Sequence, residues 1–263
     1  IDADFESAGD GILRVAAGKT VSTNSSQMTI TAWDVDLAGM LDAGSGAIRI
    51  HGSKVGQTIG VGTAAKEMHL ENGELQRISQ CHGLEVGRGA QMSVSGVTGT
   101  ASSVLEGIVT LAAYSDDHQI VFGSLGSTFN ALAAQADNGI MVQADVRSVV
   151  GTLYLDGDTD ASSTQDSVNA VQFGTNLTLT AKTWMTLQST TGGLVGMHEL
   201  TLRAGAGVAI LSDIASVPGS TPLVIDADFE SAGDGILRVA AGKTVSTNSS
   251  QMTITAWDVD LAG

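Results

Sequence analysis

Disulfides, rigid kinks and a bulky aromatic core are nearly absent from this chain. It has one cysteine, Cys81, and two prolines, Pro218 and Pro222, in 263 residues, and aromatic residues make up 4%. A single cysteine excludes an intrachain disulfide framework, so stability must come from burial and hydrogen bonding. The plain reading of Cys81 is a small buried apolar residue; the sharper one is a bond between copies or neighbouring fibres. Scarce proline suits a fold in which nearly every backbone N–H donates to a neighbour. No apolar run reaches the length of a membrane-spanning helix, which says nothing about secretion. Positive charge is short too, with 12 Lys+Arg against 28 Asp+Glu and a formal net charge of −16. That balance argues against nucleic acid or an anionic membrane as partner and invites divalent cations.

What is present is a repeat. Residues 1–39 and 225–263 are identical at every position, from Ile1-Asp2-Ala3-Asp4-Phe5 to Asp36-Leu37-Ala38-Gly39. A recent duplication explains such identity and chance does not. Because the chain begins on Ile1 and stops in mid-pattern, we expect a window onto a longer tandem array. Residues 1–224 would be one repeat, and 225–263 the start of the next, continuous with the first. One repeat then carries 22 acidic and 10 basic residues. Fixed-period repetition points to stacked architecture, with adjacent repeats of the same protein, end to end, as the first partners.

Short alternating runs fill the repeat. Met28, Ile30 and Ala32 alternate with Thr29 and Thr31; Leu84 and Val86 flank Glu85; Leu177, Leu179 and Ala181 alternate with threonines. This is period two, one face apolar and the other polar, bounded by Gly, Asn, Asp and Ser. No helices of normal length separate the runs, which disfavours a βαβ sheet. A string of antiparallel sandwiches and a parallel β-helix remain. Slim aliphatic inward residues, scarce proline and the missing sandwich tryptophan and disulfide favour the β-helix. The expected fold is therefore all-β, a right-handed parallel β-helix (β-solenoid). Roughly 9–11 coils would advance one repeat about 45–50 Å at ~4.8 Å per coil. Ala64–Ser79 should supply a turn or two of helix at a corner, and Ser127–Ala136 is a second, weaker helical candidate. The Pro218–Pro222 segment should form a protruding turn.

Leu70–Gly89, LENGELQRISQCHGLEVGRG, resembles a motif of giant bacterial surface proteins of the filamentous-haemagglutinin type. The matching residues are Glu74, Leu75, Arg77, Ile78, Gly83, Leu84, Val86 and Gly87. Gly11–Ala32 and Ile120–Ala144 have a similar texture, and very large algal repeat proteins look similar too. The resemblance implies a right-handed β-helix, export from the cell, and a role in adhesion or an extracellular fibre. It brings no catalytic residues.

Candidate chemistry is sparse. Asp156, Asp158 and Asp160 have the one-three-five spacing of a calcium loop that could continue to Asp166, without the glycine at six or the glutamate at twelve. Calcium is the only cofactor suggested; the alternative is a solvated acidic turn. Asp2, Asp4 and Glu6 would share one face if Ile1–Glu6 were a strand. Asn24, its copy Asn248, and Asn176 head glycosylation sequons, although asparagine is also an ordinary turn residue. Gly60-Val61-Gly62-Thr63-Ala64-Ala65 mimics a dinucleotide fingerprint but lacks the βαβ context, and reads as a structural turn. The five histidines show no zinc spacing. We therefore expect no enzyme but a structural component of an extracellular or cell-surface fibre or stalk. The alternatives are a surface adhesin for carbohydrate or another cell and, less favoured, a β-helix enzyme acting on polysaccharide.

Overall fold

The computed structural model describes residues 1–79, 81–164, 166–216 and 222–263. Strands pair in parallel in every ladder, and the chain winds into a β-helix with three faces. The first face is a ten-stranded ladder that runs from Met28–Ala32 through Ile48–Gly52 and Gly83–Arg88 to Ile236–Val239 and Asp258–Leu261. The second face holds Gln91–Ser95, Ile120–Phe122, Ile140–Val142 and Val171–Phe173, and the third Ser127–Phe129, Val146–Ser148 and Thr175–Ala181. The long strand Leu194–Ala204 bends from the second face into the third.

Register turns the alternation into a core. On the first face Met28 stacks on Ile48, then Leu84, Val109, Leu132, Leu153, Met185, Val208 and Leu237. All nine are at most 2% exposed. A one-residue slip would turn that whole rank to solvent, so burial fixes the register. The outward rows pair charges across coils, as in Arg49 with Glu85 at 3.0 Å and Arg14 with Asp36 at 3.5 Å. Cys81 is free, fully buried, and its thiol is pushed up by that burial. It presents no sulfur to another fibre.

Of the two helical expectations, the turn of helix within Ala64–Ser79 is present and the one at Ser127–Ala136 is not. Within Ala64–Ser79 only Asn72–Leu75 is helical, while Met68–Glu71 is a strand. Ser127–Ala136 contains no helix; it forms Ser127–Phe129 and Leu132–Ala136, joined by a corner at Asn130. Ala134 and Ala136 are slim core residues, and pairing with the coils on either side overrides the helical propensity of the segment. A helical turn at Gly99–Ser102, with Thr98 as N-cap, takes a strand's place on the third face. The turn expected at Pro218–Pro222 lies, apart from Pro222, outside the described residues.

One irregularity interrupts the second face. Thr58–Gly62 turns back on itself and pairs in parallel with Met68–Glu71, only nine residues on. The return segment crosses directly over Gly60, where a Cβ would lie 1.6 Å from the Ala64 carbonyl oxygen. That explains Gly60 without any nucleotide. Backbone pairing lapses between Asp34–Leu37 and Met68–Glu71, and carboxylates span the gap. The His69 N–H donates to Asp34 Oδ1 at 3.1 Å and the Leu37 N–H to Glu74 Oε1 at 3.0 Å.

The two identical segments fold alike. The Ala3 N–H donates to the Thr31 carbonyl at 2.9 Å, and the Ala227 N–H to the Thr255 carbonyl at 2.8 Å. Trp33 bonds Gly11, and Trp257 bonds Gly235, both at 2.8 Å. Arg14–Asp36 recurs as Arg238–Asp260. Yet the faces do not coincide. Met28–Ala32 begins the first face, whereas its copy Met252–Thr255 lies on the third, beside Leu223–Asp226. One repeat therefore spans a whole number of turns less one third. Followed along the winding, it makes about eight and two-thirds turns, or ~42 Å at the strand spacing. That is fewer coils than expected, because the excursion after Gly52 and an insert at 157–170 lengthen two of them.

Candidate functional site

The insert at 157–170 leaves the first face after Leu153–Asp156 and returns at Val171–Phe173. Its fold is set by Asn138, one coil earlier and 4% exposed. The Asn138 Oδ1 accepts from the amides of Ser167 at 3.1 Å, Val168 at 2.8 Å and Asn169 at 3.4 Å. A single side chain thus satisfies three consecutive backbone donors that no strand could pair.

The three aspartates read from sequence as a calcium loop are not brought together. Asp156 ends a strand, accepts from the Tyr154 hydroxyl at 2.7 Å, and has its pKa raised by burial against that hydrogen bond. Asp158 is 1% exposed and its Oδ2 accepts from the Thr191 N–H at 2.6 Å. Of the three, Asp160 joins a cluster among the described residues; its companions are Asp137 and Asp166, and one carboxylate oxygen from each lies within 4.8 Å of the others. Asp137 comes from the corner of the preceding coil; Asp160 and Asp166 come from the insert. Asp166 Oδ1 accepts from the Asp117 N–H at 3.1 Å, and Asp160 Oδ1 from the Ser162 N–H at 2.9 Å. Asp137 lies under a thin cover of chain, 2% exposed, and its Oδ2 has no donor. Burial first, then a carboxyl–carboxyl hydrogen bond with Asp166 and the charges of Asp166, Asp160 and Asp116, push its carboxyl up to about 7. Asp158 Oδ1 and Asn169 Oδ1, in the same insert, are also buried without a donor.

The other acidic run resolves differently. Ile1–Glu6 is not a strand; only Asp2 bridges to Thr31. Asp4 turns inward, accepts from Ala8, Gly9 and the Ser53 hydroxyl, and is held below the usual carboxylate range, chiefly by Ser53. Its copy Asp228 repeats the two backbone bonds, with Ala232 and Gly233. Each carboxylate already has its donors.

The sequon asparagines share a conformation. Asn24, Asn176 and Asn248 are exposed and have φ of 52°, 53° and 49°. Asparagine tolerates this left-handed region better than most residues, which gives each position a backbone reason as well as an accessible side chain.

Below the insert, along the corner between the first and second faces, lies a cleft of about 780 Å³. Its lining includes His51, Lys54, Arg88, Asp116 and His118. Arg88 has a φ of 73° and an ion pair with Glu85 at 3.6 Å. Its charged lining residues are Lys54, Arg88 and Asp116, and it does not carry ranked carboxylates on successive coils of the kind that sugar cleavage would use.

Compared with protein-family models, curated proteins and solved structures, the chain matches none. Its function is therefore argued from its own geometry.

Proposed function

We propose that this chain is a length of a stiff extracellular fibre or stalk, built by fusing identical β-solenoid repeats end to end. The observation that carries this reading is the burial of the same residues in the two copies. Ile30, Val35 and Leu37 are 0%, 1% and 2% exposed: Ile48–Gly52 pairs over Ile30, and Met68–Glu71 with the helical turn after it lies over Val35 and Leu37. Their copies Ile254, Val259 and Leu261, with no following coil, are 42%, 43% and 62% exposed. Ile1 is 53% exposed, while its copy Ile225 is fully buried under the coil before it. Each copy thus shows what covers the other. An open coil end is an unpaired sheet edge over an open core, and the second copy covers the end that the first repeat would otherwise leave.

The junction is a continuation of ladders. Leu223–Asp226 pairs with Leu200–Arg203, and Ile236–Val239 with Gly207–Ile210. Lys182 reaches Glu230, and the Arg203 guanidinium lies 4.9 Å from the Phe229 ring centre. Exposed sequons, strong acidity and the rhythm resembling large surface proteins support an extracellular setting. In such a fibre each repeat would be turned by a third of a turn, so three repeats would restore the starting orientation. Electron microscopy of native material tests this reading: it predicts uniform rods, and isolated globules would reject it. Mass spectrometry of the same material would report sugar on Asn24 and Asn176.

A second reading, an adhesin stalk, rests on the two basic side chains in the cleft, Lys54 and Arg88, which suit an anionic sugar. Binding of acidic glycans lost on Arg88→Ala would favour it.

A further inference from the structure

The insert corner holds buried oxygens and too few hydrogens. Asp137 Oδ2 is sealed from solvent and lacks a donor, and one carboxylate oxygen from each of Asp137, Asp160 and Asp166 lies within 4.8 Å of the others. Buried acceptors in folded proteins are almost always satisfied, so an orphan in a carboxylate group calls for a proton shared with Asp166 or a bound cation. No basic side chain supplies the positive charge: among the described residues none of the three forms an ion pair with Lys or Arg.

We propose that Asp137, Asp160 and Asp166 form a calcium site that pins the insert of one coil to the coil before it. The donor set is all oxygen, which selects a hard cation over zinc or copper. The ligands stand on irregular loops and can act in mono- or bidentate fashion. Calcium accepts such variable coordination, whereas magnesium demands a near-ideal octahedron. Three carboxylates and water fill a calcium shell, and the ion neutralises charges that otherwise repel. The site joins residues 23 and 29 positions apart, so it cross-links neighbouring coils. In a tandem array it would recur once per repeat.

The test is calorimetric titration of chelator-stripped protein with calcium chloride, with melting curves in calcium and in magnesium. The expected result is one calcium per chain, with affinity at or tighter than roughly 10⁻³ M, the range of extracellular calcium modules. At about a hundredfold excess over Kd the melting temperature should rise by roughly 5–10 °C, and magnesium should give less. The double variant Asp160→Asn, Asp166→Asn changes an exposed and a half-buried residue. It should keep its β circular dichroism and its melting temperature in chelator, yet bind calcium at least about tenfold more weakly. The control Asp2→Asn, Asp10→Asn should bind as the original does. No calcium heat and no thermal shift in the original protein at about 10 mM, a concentration that fills even weak extracellular sites, would overturn the proposal. So would undiminished binding by a folded double variant.

Discussion

Ile30 and Ile254 are the same residue of the same sequence in the same local conformation, one 0% and the other 42% exposed. Replacing each with alanine separates the contribution of the following coil from everything else. Ile30→Ala removes three carbons from a closed core and should cost about 2–5 kcal/mol, transfer and cavity terms together. Ile254→Ala starts from a side chain already two-fifths in water, with open space into which neighbours can relax. Its cost should be about 1–2 kcal/mol. If the chain is now lengthened past Gly263 with a further copy of residues 40–95, Ile254 gains the cover that Ile30 has. The cost of Ile254→Ala should then rise into the range of Ile30→Ala, while Ile30→Ala stays unchanged. Repeat arrays lose two-state behaviour as they grow, so a single urea midpoint is a poor readout. Hydrogen exchange of the amides in Leu223–Asp226 and Met252–Thr255 reports the stability of that end directly. If lengthening left the cost of Ile254→Ala where it was, the coils would not be stacking across the repeat boundary.

Other positions give independent checks. Gly60→Ala drives a Cβ into the Ala64 carbonyl and should cost about 3 kcal/mol or expel the return segment, whereas Gly56→Ala, with nothing within 4 Å, pays only for its φ of 78° and should lower the melting point far less. Asn138→Ala strands three amides and should cost about 2–4 kcal/mol, with fast exchange confined to 157–170; Asn138→Asp keeps the acceptor but sets a carboxylate against Asp117, which Asn138 Nδ2 now bonds, and should be destabilised as well. Glu74 is raised by burial, so the folded state holds its proton more tightly than the unfolded one. Its contribution to stability is present at low pH and is lost as the pH climbs through the ordinary carboxyl range to the raised value. Glu74→Gln should flatten that part of the denaturation profile.

The coil architecture was legible because its cause is local. Alternation in Met28–Ala32 or Leu177–Ala181 states which side chains face inward, and slim aliphatics at those places state how narrow the core is. Helical content was harder. Ala64–Ser79 keeps its turn of helix, at Asn72–Leu75, but Ser127–Ala136 went largely to strand, because propensity is weak beside a ladder partner on each side. The acid cluster was half legible. Asp160 and Asp166 lie in a stretch without alternating residues, which marks an insert. Asp137 belongs to another coil, and only the register of Leu132–Ala136 against Leu153–Asp156 sets it beside them. Asn138 was missed for the same reason: its three partners are about thirty residues away. The one-third offset between repeats was invisible, since it depends on how many strands each turn absorbs.

The central claim is that adjoining copies share one unbroken β-helix. Electron cryomicroscopy of a protein with four tandem repeats tests it most directly. The account predicts a straight rod that lengthens by ~42 Å for each repeat, with the insert corner displaced by one face from copy to copy. Beads joined by bends at the segment before Leu223, variable in angle from particle to particle, would contradict it.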